Sequence, residues 1–152
     1  MIKKCWVTDS GCDTCPVLES ISHIALHCRN SDFIWAKFGL LNQAKNSSSI
    51  TDFVTTSQRK FSNNTWPSCF AACLLTLWHA RNDRVFNSKS TSNSQLTRRA
   101  ADEIELWASR AAKDQPNLMS WVQLLSIWDL FLPFLLCDWL SSLYNFSCKV
   151  VM

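Results

Sequence analysis

Apolar residues recur three or four positions apart through most of this chain, the spacing that gathers them on one face of an α-helix. The pattern is clearest at Leu96, Ala100, Ile104, Trp107 and Ala111, which predict a helix from about Gln95 to Lys113. Arg98, Arg99, Asp102, Glu103, Glu105 and Arg110 fall on its other face. A more apolar helix is predicted over 67–86, through Phe70, Cys73, Leu74, Leu77, Trp78, Val85 and Phe86, with Pro67 suited to its first turn. Phe53, Val54 and Phe61 form the inner face of a helix from Ile50 to about Lys60. Phe33, Ile34, Trp35, Phe38 and Leu41 make a further apolar band. Asn30, Ser31 and Asp32 read as its start, because short polar side chains accept the free amides of a first turn, and Gly39 reads as its stop. Ile21, Ile24 and Leu26 mark a short helical turn that carries His23.

Polar stretches separate these bands. NQAKNSSS (42–49) reads as a linker, SNNTWP (62–67) as a break and NSKSTSNS (87–94) as a loop, while Gln115-Pro116-Asn117 ends the helix before it. Residues 118–148 change character: Leu, Trp and Phe dominate, and Asp129 and Asp138 are the only charges. A membrane span needs about 20 mostly apolar residues, and each Asp inside it costs roughly 2.5–3.5 kcal/mol. Two Asp and Pro133 fall in the best window, so a buried helix pair, or a segment that never evolved to fold, is preferred to a span.

Composition narrows the class. Apolar residues make up 47% and charged residues 18%, which excludes a disordered chain. Two glycines and four prolines leave few tight turns and argue against a many-stranded β fold. Fifteen Lys and Arg against twelve Asp and Glu give a net charge of +3, which permits contact with nucleic acid without demanding it. The start, MIKKCWVTDSGC, has a basic pair but no apolar run after it, so it does not read as a secretory signal. The expectation is an intracellular protein, of nucleus or cytoplasm and not secreted. Its eight cysteines are then expected as thiols and metal ligands rather than disulfides, and the sequons at Asn46, Asn63 and Asn145 carry no weight.

The strongest chemical signal is GCDTCPVLESISHIALHC, residues 11–28. Cys12, Cys15, His23 and Cys28 stand in the spacing Cys-x2-Cys-x7-His-x4-Cys, the composition of a tetrahedral zinc site closed by four protein donors. His27 is the alternative fourth ligand. On a continuous helix His23 and His27 share a face, whereas His23 and Cys28 diverge by about 140°. Cys28 joins the site only if the helix frays there. The expected fold is mostly α, a small N-terminal zinc knuckle followed by a helical bundle of about four to six helices. It divides into a knuckle with the first helices (1–41), a helical region (50–114) and an apolar tail (115–152) whose structure the pattern does not specify.

The stretch from Cys12 to Trp35 resembles the zinc-binding region of plant LINE-type (non-LTR retrotransposon) reverse transcriptases. There a Cys-x2-Cys pair precedes a Glu, a His-x4-Cys and a Trp, matched by Cys12, Cys15, Glu19, His23, Cys28 and Trp35. Downstream, LLTLWHARNDRVF (74–86) resembles the family's Trp, Arg-Asn pair and Phe, at Leu77-Trp78, Arg81-Asn82 and Phe86. The resemblance covers roughly residues 1–113 and favours Cys28 over His27 as fourth ligand. Pro16 departs from it, where many members have a glycine. The polymerase site of such an element would precede residue 1. The acidic cluster of a following ribonuclease H-like domain has no match in Asp129 and Asp138.

Other constellations are weaker. Cys69 and Cys73, four apart with His79 nearby, are expected as small core residues rather than a second metal site. Arg81, Arg84, Arg98 and Arg99 are candidates for nucleic-acid contact, against a solvated face paired with Asp83, Asp102 and Glu103. Trp35, Trp78 and Trp107 sit at core spacing, although such rings can stack bases. The expected function is that of a retroelement-derived zinc-binding module with weak or ancestral binding of RNA or DNA, no small-molecule substrate and no catalysis of its own. The rivals are a zinc-stapled module that binds another protein, and a decayed gene product without a selected function.

Overall fold

The structure is a computed structural model that describes residues 11–61, 64–111 and 113–126. Cys5, the sequon at Asn63, Asp129, Asp138 and the greater part of the apolar tail lie outside the described residues. Among the described residues a knuckle at 11–18 leads into a π-turn, His23–His27, and then six α-helices. These are α1 (Arg29–Lys37), α2 (Leu41–Asn46), α3 (Ile50–Phe61), α4 (Trp66–Asn87), α5 (Asn93–Arg110) and α6 (115–126). The one β feature described is an isolated antiparallel bridge between Gly11 and Leu18 that closes the knuckle. The mostly α architecture with an N-terminal Cys/His cluster is the one expected from the sequence. No helix among the described residues is long and apolar enough to cross a membrane.

Trp35 and Trp66, both fully buried, are the centre of the core. Phe70 stacks on Trp35 at 5.5 Å between ring centroids, and Phe53 lies at 5.0 Å from the same ring. Trp66 meets Phe38, Phe61 and Trp121 at 5.5, 4.8 and 5.5 Å. Tilted and edge-on rings at these distances add about 0.5–1.5 kcal/mol per pair beyond the area they bury. The cluster runs without interruption from Ile24 to Leu125. Leu118, Trp121 and Leu125 bring α6 into it, and Trp121 donates its indole N–H to the Thr65 hydroxyl at 3.0 Å.

Local chemistry accounts for the helix ends, and several differ from the sequence expectation. Gly39 stops α1 as predicted: it takes φ +65°, its amide bonds to Ala36 and that of Leu40 bonds to Trp35, both carbonyls of the last turn. The start of α1 lies at Arg29 with Cys28 as the cap, not at Asn30-Ser31-Asp32. Ser31 sits inside the helix, where its buried hydroxyl donates back to the Cys28 carbonyl at 2.7 Å. Residues 42–49 are not all linker: α2 runs to Asn46, because Ala44 buries against the core and Gln43 reaches the Ser57 hydroxyl. The α5 helix starts at Asn93, earlier than Gln95, under a reciprocal cap in which Ser92 and Gln95 each accept the other's amide. Gln115-Pro116-Asn117 opens α6 instead of merely ending α5.

Candidate metal centre

Backbone hydrogen bonds shape the knuckle before any ligand is considered. The Cys12 amide donates to Val17 O at 2.8 Å and the Cys15 amide to Cys12 O at 3.2 Å. Val17 N–H closes a three-residue turn on Cys15 O at 2.8 Å, with Pro16 at its centre. Both cysteines are thereby turned to one side.

The other half of the site depends on an irregularity. The Cys28 amide bonds to His23 O, five residues back, at 2.8 Å, and Cys28 itself takes extended angles, φ −76° and ψ 150°. This closure is the π-turn, and it cancels the 140° divergence that a continuous helix would impose. His23 and Cys28 then stand on one turn. The Trp35 indole N–H holds the turn from below by donating to Ala25 O at 2.7 Å.

One donor atom from each of Cys12, Cys15, His23 and Cys28 lies within 4.8 Å of the others, so the four could hold a metal ion. Cys12 and Cys28 are buried with their sulfurs 3.8 Å apart, and His23 is only 7% exposed. Buried polar atoms are nearly always hydrogen-bonded. His23 Nε2 is buried and makes no hydrogen bond of regular geometry, although its ring is close enough to Cys12 to favour that thiolate. Such an atom is what a missing ligand bond would leave. His27 is half-buried and does not belong to the group.

The thiols respond to their surroundings. Burial pushes the Cys12 thiol up, but hydrogen bonds from the Thr14 side chain and amide, with His23 and Cys28, together outweigh it and hold it below the ordinary range. Burial likewise acts against ionisation of Cys15, and is outweighed by the Arg29 amide, the Thr14 hydroxyl and the neighbouring thiols. Cys28 is raised, chiefly by burial, against the Thr14 hydroxyl and the Asn30 amide. The Arg29 and Asn30 amides belong to the first turn of α1, whose unpaired N–H groups favour negative charge.

Two ion pairs fasten the knuckle to α4. Arg81 donates through Nε at 2.6 Å and Nη2 at 2.5 Å to Glu19, and both side chains are largely buried. Its guanidinium also lies 5.7 Å from the Trp78 and Phe86 ring centres. Arg84 reaches Asp13 at 3.4 Å. The two sequence segments that carry the reverse-transcriptase resemblance therefore meet in space. Glu19 was not among the expected site residues; its place in the motif, between the Cys pair and His23, was the available signal.

The four candidate nucleic-acid arginines are largely occupied within the chain. Besides the two pairs above, Arg99 bonds to Asp83 at 3.0 Å, while Arg98 is exposed on a groove that Asp102 and Glu105 also line. Trp35 is fully buried, Trp107 is partly buried with its N–H on Glu103, and Trp78 is exposed. Cys69 and Cys73 are both fully buried in the core, and burial pushes the Cys69 thiol well above its ordinary range. His79 is exposed and forms no metal-type group with them among the described residues. Comparison with protein-family models, characterised proteins and solved structures finds no match to this chain.

Proposed function

We propose that Cys12, Cys15, His23 and Cys28 bind one zinc ion in a closed structural site that staples the knuckle to the helical body. The observation that carries this reading is the convergence of one imidazole and three thiols within 4.8 Å, with His23 Nε2 buried and lacking a regular hydrogen bond. Geometry supports it: two thiolates on tetrahedral zinc, each about 2.3 Å from the ion, stand about 3.8 Å apart. Cys12 and Cys28 have that separation. Four protein donors leave no coordination position for a substrate, so the ion's role is structural and no catalysis is assigned. Elemental analysis of protein purified under reducing conditions tests the site. One zinc per chain is expected in the wild type and in His27→Ala, and none in Cys12→Ser or Cys28→Ser. A wild type without zinc overturns the proposal.

In its function the module is read as a retroelement-derived element that contacts RNA or DNA weakly, supported by the order of its two motif segments. A specific observation favours a second reading, a zinc-stapled surface for another protein. Arg81, Arg84 and Arg99 are paired with carboxylates, whereas Val17, Leu18 and Ile21 beside the knuckle are 50, 73 and 68% exposed. Titration with single-stranded RNA and duplex DNA over a range of salt separates the two. A nucleic-acid module loses affinity linearly in log salt, with a slope set by the phosphates it neutralises. Absence of binding at low salt rejects it in favour of the protein surface.

A further inference from the structure

The turn between Cys12 and Cys15 places a hydroxyl against the sulfur cluster. Thr14 Oγ1 lies 3.1 Å from Cys12 Sγ, 3.2 Å from Cys28 Sγ and 3.7 Å from Cys15 Sγ. No ligand spacing requires a hydroxyl there, since Asp13 and Thr14 fill only the x2 gap. While the thiols keep their protons, donor and acceptor can be exchanged between oxygen and sulfur. Metal binding removes that freedom, because the coordinating sulfurs are thiolates and only accept. Three thiolates and a neutral imidazole around a divalent ion leave one net negative charge in a largely buried place. The Thr14 O–H is then a side-chain donor able to disperse it, alongside the first-turn amides of α1.

We infer that Thr14 is a positioning residue of the metal centre, its single O–H shared between the Cys12 and Cys28 thiolates and so setting how tightly the ion is held. The inference rests on the zinc reading above. The hydroxyl links the two halves of the ligand set, one from the knuckle and one from the end of the π-turn. Thr is stiff at χ1, so the donor is directed with little loss of freedom when the ion binds. Groups of this kind, which touch the ligands and not the metal, typically change metal affinity 10–100-fold when removed.

The test uses the full chain, reduced, with Zn2+ and Co2+ as probes and a chromophoric chelator in competition. Thr14→Val keeps the shape and removes the donor, whereas Thr14→Ser keeps the donor. Thr14→Val is expected to weaken zinc binding by roughly tenfold or more. In the cobalt form the sulfur-to-metal charge-transfer band should move to longer wavelength, because the thiolates become more electron-rich. Thr14→Ser should restore both readouts. Equal affinity and an unchanged cobalt spectrum in Thr14→Val overturn the inference. So does a Thr14→Ser variant as impaired as Thr14→Val, which would make the methyl group and not the hydroxyl responsible. If Thr14→Val fails to fold, Thr14→Ala against Thr14→Ser decides by the same readouts. A wild type that binds neither ion defeats the zinc reading itself, which is a separate result.

Discussion

The knuckle and the helical body are held together by different means. In the body Trp35, Trp66, Phe53, Phe70 and Trp121 interlock around a continuous apolar cluster. Between residues 11 and 28 Val17, Leu18 and Ile21 face solvent, Ile24, Ala25 and Leu26 join the core, and the other buried groups are Cys12, His23 and Cys28, whose chemistry is that of ligands. One region is stabilised by removing apolar surface from water, the other by Arg81 and Arg84 reaching across from α4 and, on the zinc proposal, by the ion its four donors would hold. The difference teaches where each is vulnerable. A chelator should loosen the knuckle and leave the aromatic core, whereas a cavity in that core should undo both, since Trp35 and α1 support the π-turn.

The largest effect is expected from Trp66→Ala, which empties the centre of the core. Truncating a buried Trp costs about 3–5 kcal/mol. Thermal melting of the metal-loaded protein should show the loss in far-ultraviolet and near-ultraviolet signals together. A melt that loses only local structure would mean the two regions do not share a core.

A smaller effect is expected from Arg81→Ala. It leaves Glu19 largely buried without its partner, and hydrogen bonds to charged groups contribute about 1.5–3 kcal/mol. Arg81→Lys should recover little, because a single ammonium cannot reproduce the two-nitrogen grip on one carboxylate oxygen. Hydrogen exchange should place the added opening at residues 11–28. Uniform loss of protection through α3 and α5 would contradict the assignment of this pair to the knuckle.

The finest discrimination comes from thiol reactivity, with no change in stability. In chelated but folded protein near neutral pH, Cys15, partly exposed and held below the ordinary thiol range, should alkylate first, ahead of Cys12, which is also lowered but buried. Cys69, buried and pushed well above that range, should react only on global unfolding, as should its fully buried neighbour Cys73. Zinc should protect the knuckle thiols and leave the other two unaffected. Mass spectrometry of peptides after timed alkylation reads all of these at once, and early labelling of Cys69 would refute the contrast.

Helices α3, α4 and α5 were legible in the sequence because their apolar residues keep a helical repeat over many turns. The α2 helix was not, since LNQAKN is mostly polar and its reason to be helical is a single small residue, Ala44, at a close contact. The start of α6 was hidden for a related reason: Pro116 signals the end of one helix and the first turn of another equally well. Trp78 sits at core spacing, yet it is exposed, as are Val85 and Phe86: the Arg81 guanidinium lies against the Trp78 and Phe86 rings on its way to Glu19, so a cation and not apolar side chains meets this end of α4.

For the site, the residue types and spacing between Cys12 and Cys28 determined by themselves that a soft, four-donor cluster was available in this segment. They did not determine which donor closed it. The periodicity of an unbroken helix points to His27, and only the five-residue hydrogen bond from Cys28 to His23 O turns the chain so that Cys28 enters. That bond is tertiary in origin: a π-turn is costly in isolation, and here Trp35 braces it from the core through Ala25 O. In the same way, the sequence offered Thr14 and Asp13 as ordinary polar residues, Glu19 as a motif position, and Arg81 and Arg84 as candidates for nucleic-acid contact. The folded chain made one a sulfur-facing donor and the others two cross-links, because contacts between residues 62 and 71 positions apart are set by packing and not by local pattern.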